Sequence, residues 1–321
     1  MTIAIIGGSG FLGTSLCRIL KDNDKSFINH DIKESLNFPN NYEYFSVHDK
    51  ASTLSNKFDT IINLAAIHRD DEKKEDYKKV NVEGARNICN LASEKSINKI
   101  IFTSTVAIYG FSNDPIDEDF DPNPFNEYGR SKLQAEEIYK EWQREDPINR
   151  SLVIIRPTVI FGEKNRGNVF NLIKQIKSKF FVMIGDGNNI KSMSYVGNVA
   201  QFLYQCLELK EGLYIKNYVD KPDLRTKDIV KIVQKSLSIK EFKKFYLPVT
   251  LGLFAGILVD LLSRLTGKKF PISLVRIKKF TSNTIINSNN NFFDFKPPVN
   301  LETALKKTIT YEFKSSNETL K

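Results

Sequence analysis

In the first half of the chain, short apolar runs alternate with longer stretches in which apolar residues recur every three or four positions. The runs Ile3–Ile6, Ser26–Ile28, Tyr44–Val47, Thr60–Leu64, Lys99–Ser104 and Ser151–Arg156 have the length and β-branched content of strands. Phe11–Leu20, Tyr77–Ser93 and Tyr128–Arg144 carry the helical period. Runs that are apolar at nearly every position belong to strands covered on both faces. The alternation therefore predicts an α/β fold, a doubly wound parallel sheet with helices on both sides. Periodicity supplies the class and leaves strand order open.

Beyond residue 160 the regularity loosens. Gly162, Gly167, the GDGNN stretch at 185–189 and Pro222 punctuate shorter helical segments. This predicts a sheet domain over 1–165 and a smaller C-terminal lobe over 166–321, with some segments crossing back to the sheet. The Asn-rich stretch Asn287–Asn291 reads as a loop and the tail after Phe313 as frayed. One segment stands apart. Residues 245–262 hold only Thr250 and Asp260 as polar side chains, with Lys243 and Lys244 before them and Arg264, Lys268 and Lys269 after. The run fits a buried core helix or an interfacial one, and with Pro248 and Asp260 it is short for a membrane span. The first reading makes it packing; the second makes 245–269 a peripheral membrane contact.

Composition changes this picture little. At 321 residues, 41% hydrophobic and 26% charged, the chain is long enough to bury a sizeable core, which excludes disorder as its organising state. Its three cysteines (Cys17, Cys89, Cys206) are odd in number and widely spaced. They argue for a reducing compartment and against a disulfide scaffold or a zinc site, and the scattered His30, His48 and His68 make no metal centre. The residues MTIAII enter an apolar strand without a basic leader, so a cytoplasmic protein is expected. Charge is more informative. Residues 1–160 carry 20 basic side chains against 25 acidic, residues 161–321 carry 27 against 13. A basic second half suits an anionic partner such as a diphosphate or a membrane face. Nucleic acid fits poorly, because no basic run is interleaved with stacking aromatics.

The candidate chemistry begins at Gly7-Gly8-Ser9-Gly10-Phe11-Leu12-Gly13, a G-x-x-G-x-x-G turn between the first strand and the first helix. Such a turn lets a pyrophosphate approach the backbone and meet the free N–H groups at the helix start, the arrangement of a Rossmann-type dinucleotide fold. Asp31 closes the second strand, 18 residues after Gly13, where a carboxylate accepts hydrogen bonds from an adenosine ribose diol and repels a 2′-phosphate. NAD is favoured over NADP. Further on, Tyr128 and Lys132 stand four apart at the start of a helix and share one face. An ammonium beside a phenol stabilises the phenolate, which makes the tyrosine a general base near neutral pH. The fifth strand ends in Ser104 and Thr105 at the carboxyl edge of the sheet, where ligands of open α/β sheets bind.

With these parts in register, the chain resembles the extended short-chain dehydrogenase/reductase family of nucleotide-sugar epimerases and dehydratases, from residue 7 to about residue 313. The resemblance implies cofactor contacts from Gly7, Gly10, Phe11, Leu12, Gly13, Asp31, Asp49, Leu64, Ala65, Ala66, Asn81, Tyr128, Lys132 and Pro157. It implies a catalytic set of Thr105, Tyr128 and Lys132. The family's 4,6-dehydratases carry an Asp-Glu pair after the catalytic threonine, whereas Val106 and Ala107 stand here, so no acid or base for dehydration is visible. The family's usual aspartate before the domain-crossing helix is replaced by Asn198. Lys191 stands where 4-epimerases place an arginine for the diphosphate, a point charge in place of a fork.

The blocks NLAAIHRDD (63–71), RPTVIFGEKNRGNVFNLIKQI (156–176), KSMSYVGNV (191–199), YVDKPDL (218–224), LTGKK and VRIKKF (265–280) resemble the branch of this family whose sugar is carried on a prenyl diphosphate. They imply an NAD-dependent 4-epimerase of a diphosphate-linked N-acetylhexosamine, working in surface-polysaccharide assembly. Substrate contacts are then assigned to Thr105, Ala107, Tyr128, Asn168, Lys191 and Arg276, with His68 and Arg69 near the same side. The family also implies a homodimer through the helices at 77–93 and 126–144. Three other readings share the glycine turn. They are an epimerase of a soluble nucleotide sugar, a 4-keto-hexose reductase consuming NAD(P)H, and a non-enzymatic dinucleotide-binding module, which would have no use for Tyr128, Lys132 and Thr105 together.

Overall fold

β1 (Thr2–Ile6) places Ile3 and Ile5 in one apolar cluster and Ala4 and Ile6 in another, so the first strand is buried on both faces. The computed structural model describes every residue except 50–53, 55–56, 69–71, 113, 179–180, 240–245, 268–272, 290 and 315–321, together with all of Arg264 but its side chain. After β1 come α1 (Phe11–Asp22), β2 (Ser26–Asp31), β3 (Tyr42–Tyr44) and β4 (Thr60–Asn63). A continuous helical stretch follows: α2 (Lys74–Tyr77), a π-helical segment Lys78–Glu83, and α3 (Gly84–Glu94). β5 (Lys99–Thr103), α4 (Glu127–Glu145) and β6 (Ser151–Pro157) complete the first half.

The second half contains β7 (Val159–Phe161), α5 (Asn168–Lys177), β8 (Met183–Ile184), β9 (Ile190–Tyr195), α6 (Val196–Gln205), β10 (Gly212–Tyr218), β11 (Asp220–Arg225), α7 (Thr226–Ser236), β12 (Tyr246–Leu247), α8 (Val249–Thr266), α9 (Leu274–Thr281) and α10 (Leu301–Phe313). The main sheet runs β10-β6-β5-β4-β1-β2-β3, with every pairing parallel. Strand order reverses at β1, which opens a crevice between the carboxyl ends of β1 and β4, the ligand position of such sheets. Leu12, Leu16 and Leu20 of α1 and Val199, Phe202 and Leu203 of α6 cover one face, while Ile88 and Ala92 of α3 and Ala135, Tyr139 and Trp142 of α4 cover the other. β10 and α6 thus return from beyond residue 165 to complete the sheet layer. The remainder forms a three-stranded sheet, β11-β9-β7, and a small pair, β12-β8.

Three readings of the sequence are adjusted. The third strand pairs over Tyr42–Tyr44, not 44–47, because β2 ends at Asp31 and the last ladder bond is Phe45 N–H to the Asp31 carbonyl. Phe45 and Val47 are apolar because they are buried in the cluster that α3 covers. The helix expected over 77–93 begins earlier, at Lys74, and changes to π geometry midway.

The apolar run shows the largest difference. It is not a core helix. α8 begins after Pro248, ends at the left-handed Gly267, and exposes Leu251 (55%), Phe254 (60%), Ile257, Leu258, Leu261, Leu262 and Leu265 (75%) along one stripe. Its other side lies on α9, where Gly256 has no room for a Cβ: one would stand 2.9 Å from the Leu274 Cα and 3.0 Å from Ile277. No helix among the described residues is long and apolar enough to cross a membrane. Lys243, Lys244, Phe245, Lys268 and Lys269, the flanks of this run, lie outside the described residues, as does the tail from 315.

Candidate active site

The glycine turn and the end of β4 face each other across the crevice. Gly7 adopts φ +85°, a left-handed conformation that L side chains rarely take, and a Cβ there would lie 2.7 Å from the Ala65 amide. A Cβ on Gly13, in the first turn of α1, would collide at 2.5 Å with the Gly7 carbonyl and the Gly8 Cα. The backbone is therefore bare where an extended ligand would lie, beside helix-start amides that have no intrahelical acceptor. This cradle fits a dinucleotide pyrophosphate against Gly7, Gly10, Phe11, Leu12 and Gly13.

Asp31 ends β2 next to the turn. Its carboxylate accepts the Ser9 amide at 3.0 Å and the Lys33 amide at 2.9 Å, which fixes its plane and leaves lone pairs for a ribose diol. Asp49 is exposed in the turn after β3, and Leu64, Ala65 and Ala66 follow β4 on the opposite wall. Asn81 takes a different place. In the π-helical segment its side chain accepts the Ile67 amide at 2.9 Å and donates to the Ile67 carbonyl at 3.0 Å and to Ser131 Oγ at 2.8 Å. It ties the β4 loop to α4 and so shapes the cofactor wall through its neighbours. Pro157 is the last residue of β6, buried at the same sheet edge.

The catalytic candidates lie on two elements that touch, the turn after β5 and the start of α4. Thr105 follows β5 and caps the 3-10 turn Val106–Tyr109, its Oγ1 accepting the Ala107 amide at 3.1 Å and keeping its own proton for a ligand. α4 starts at Glu127, capped by Asn126, whose Oδ1 accepts the Gly129 amide at 2.9 Å. A Cβ on Gly129 would stand 2.5 Å from the Ala107 carbonyl, so glycine is what allows the first turn of α4 to press on the Thr105 turn. Tyr128 precedes Gly129 in that same turn of α4. Val106 and Ala107 open the turn itself.

Lys132 is 2% exposed, with its Nζ 4.0 Å from the centre of the Phe102 ring. Burial pushes its ammonium down to about 7, against the opposing pull of Glu136. Glu136 and Arg156 form a buried ion pair behind it. Glu136 was not singled out from sequence, although Tyr128, Lys132 and Glu136 at successive four-residue steps share one helix face.

The substrate-side residues are dispersed. Asn168 is exposed as the first residue of α5. Arg276 is exposed in the first turn of α9. Lys191, by contrast, is turned inward: its Nζ donates to the Lys279 and Ser282 carbonyls, both at 2.6 Å, at the carboxyl end of α9. Burial pushes this ammonium down to about 8. In this arrangement it holds α9. Asn198 exchanges bonds with both backbone groups of Val299, donating at 2.7 Å and accepting at 3.1 Å, which an aspartate could not do. His68 is exposed beyond β4; Arg69 lies outside the described residues.

Residues 3–217 match the NAD dependent epimerase/dehydratase family. The chain belongs to that family. Across 317 residues, 97% of this chain and 95% of the relative, it is 43% identical to the N-acetyl-alpha-D-glucosaminyl-diphospho-ditrans,octacis-undecaprenol 4-epimerase of Escherichia coli O157:H7. A UDP-glucose 4-epimerase of Vibrio cholerae is 23% identical over 98% of this chain and 97% of its own. Among solved structures, MoeE5 in complex with UDP-glucose and NAD superposes with a TM-score of 0.75 at 15% identity, covering all of both chains. The UDP-glucuronic acid 4-epimerase of Bacillus cereus in complex with NAD gives 0.72 at 20% identity over 97% of this chain and 98% of that one. These likenesses show the same fold over the whole chain.

Proposed function

We propose that this family member is a reversible NAD-dependent 4-epimerase of an N-acetylhexosamine linked through diphosphate to a prenyl carrier, at the cytoplasmic face of a membrane, in the assembly of a surface polysaccharide such as O-antigen. The observation that carries the lipid-linked reading is the 43% identity, over nearly the full length, to an epimerase named for an undecaprenol-linked sugar. The glycine cradle and Asp31 would hold the dinucleotide, with Asp49 beside the adenine and Leu64, Ala65, Ala66, Pro157 and Lys132 toward the nicotinamide end. When bound, NAD supplies the acceptor and the returning donor for the carbon-4 hydride. Tyr128 takes the 4-hydroxyl proton as a phenolate, Lys132 holds that phenolate by its charge, and Thr105 donates to the sugar oxygen. After the keto sugar turns over, Tyr128 returns the proton. Asn168 and Arg276 are assigned to the sugar and diphosphate, and Lys191 to the same region through α9.

The deciding assay compares N-acetylglucosamine on prenyl diphosphate with UDP-N-acetylglucosamine, with and without vesicles. Turnover confined to the prenyl-linked sugar is expected. Turnover of the nucleotide sugar alone would replace this reading with that of a soluble UDP-sugar epimerase. Purified protein that oxidises added NADH stoichiometrically with a keto sugar would instead make it a reductase.

The exposed stripe of α8 supports peripheral membrane contact. Apolar side chains on one helix face beside the exposed Arg276 and Lys278 of α9 suit an anionic bilayer surface. Phe254→Glu/Leu258→Glu is expected to lower co-sedimentation with phosphatidylglycerol vesicles by about 10-fold or more while leaving the fold intact, since both side chains already face solvent. Unchanged co-sedimentation would remove α8 from the proposal. A homodimer through α3 and α4 would meet a mostly polar surface, because exposed positions there include Arg86, Asn90, Arg130, Gln134, Glu137, Glu141 and Arg144.

A further inference from the structure

Glu136 stands one helical turn beyond Lys132 on α4, the spacing at which a glutamate and a lysine pair directly. They do not pair. Both Glu136 oxygens are taken by the Arg156 fork, Nε to Oε1 at 3.0 Å and Nη2 to Oε2 at 2.7 Å. The second terminal nitrogen of Arg156 donates to the Tyr109 hydroxyl at 2.6 Å, and that hydroxyl donates to Asn217 Oδ1 at 2.8 Å. Glu136 (0% exposed), Arg156 (4%), Tyr109 and Asn217 are all buried, so the fork is locked from four elements: α4, β6, the 3-10 turn after Thr105, and β10. Lys132, among the described residues, makes no ion pair and no hydrogen bond; its ammonium rests over Phe102.

We propose that Arg156 is a positioning residue for Lys132: by occupying the Glu136 carboxylate it prevents a direct Lys132–Glu136 ion pair, and so leaves the ammonium without a contacting counterion on the helix face it shares with Tyr128. The proposal rests on the roles given to Tyr128 and Lys132 above. The charged and titratable groups around Lys132 are Tyr128 and Glu136 on its own helix, Tyr139 behind Phe102, Arg156 on β6, and Tyr109 on the 3-10 turn. Together Lys132, Glu136 and Arg156 hold one net positive charge. Removing Arg156 cancels it and releases Glu136 toward Lys132. Removing Glu136 doubles it.

These charges set opposite directions. A more negative surround raises the pKa of both a phenol and an ammonium, and a more positive one lowers both. Arg156→Gln is therefore expected to move the whole pH–rate profile up by about one unit and to lower kcat with KM nearly unchanged. Glu136→Gln is expected to move it down, and Arg156→Gln/Glu136→Gln, whose pair is neutral, to return it close to wild type. The same directions are expected in the ultraviolet difference titration of the Tyr128 phenol, read against Tyr128→Phe in cofactor-free protein. A packing role alone gives no opposed shifts and no recovery in the double variant. Shifts of the same sign, no shifts, or a double variant displaced as far as Arg156→Gln would overturn the proposal. Should Arg156→Gln not fold, Glu136→Gln decides: a lowered profile supports the proposal and an unmoved one overturns it. If Tyr128→Phe itself turns over normally, the reading of the site has failed; if it is inactive and the profiles stay fixed, only this inference has.

Discussion

Tyr128→Phe is expected to lower kcat by about 10³-fold or more while NAD affinity changes by less than about threefold. The substitution removes one oxygen and keeps the ring, so the first turn of α4 still closes on Ala107 through Gly129, and the glycine cradle on the far side of the crevice is untouched. What is lost is the group that the proposed mechanism uses to accept the 4-hydroxyl proton. Thr105 cannot substitute, because its hydroxyl is far too weakly acidic to ionise near neutral pH and its oxygen already accepts the Ala107 amide. Cofactor titration alongside turnover of the prenyl-linked sugar checks this. Turnover near the wild-type rate would show that the proton leaves by another route.

Lys132→Met is expected to separate activity from stability. Turnover should fall by about 10²-fold or more, since the phenolate loses its neighbouring charge. The cofactor-free protein should nevertheless become more stable at low pH. In the fold the Lys132 ammonium is held down to about 7, against an ordinary value near 10.5 in the unfolded chain. Below pH 7 the lysine is charged in both states and the full cost of burying that charge is present. Between about 7 and 10.5 the folded chain releases the proton while the unfolded chain keeps it, so the cost shrinks as pH rises, and above that range it is gone. Methionine fills a similar volume without the charge. The gain in Tm should therefore be largest at pH 6, about 3 °C or more, and should vanish toward pH 10.5. Thermal melts of both proteins across that range test it; a difference independent of pH would place the ammonium in water.

The cofactor half was legible because its determinants are local. A strand, a glycine turn and a helix start occupy consecutive residues, and Asp31 lies one strand further on. Tyr128 and Lys132 were legible for the same reason, as neighbours on one helix turn. Glu136 shares that spacing, yet nothing in the spacing distinguishes it from a solvated glutamate; only its encounter with Arg156, 20 residues away on β6, makes it a buried charge. Asn81 likewise reads as a cofactor residue by position, and only the fold shows its bonds to Ile67 and Ser131, which brace the loop after β4 against α4.

The lobe was less legible. Lys191 reads as a diphosphate contact by position and charge, and only the fold shows its ammonium on carbonyls 88 and 91 residues away at the end of α9. The run at 245–262 fitted burial or exposure equally, because apolar content says that water is disfavoured and does not say what replaces it. α9 covers one side of α8, at Gly252 and Gly256, and leaves the leucine stripe open. By itself the sequence determined the α/β class, the cradle and the tyrosine–lysine pair, each carried by periodicity or by spacing within a turn. The tertiary structure decided which charged side chains are paired, which are buried and which apolar face stays exposed, because those outcomes depend on what distant segments bring against them.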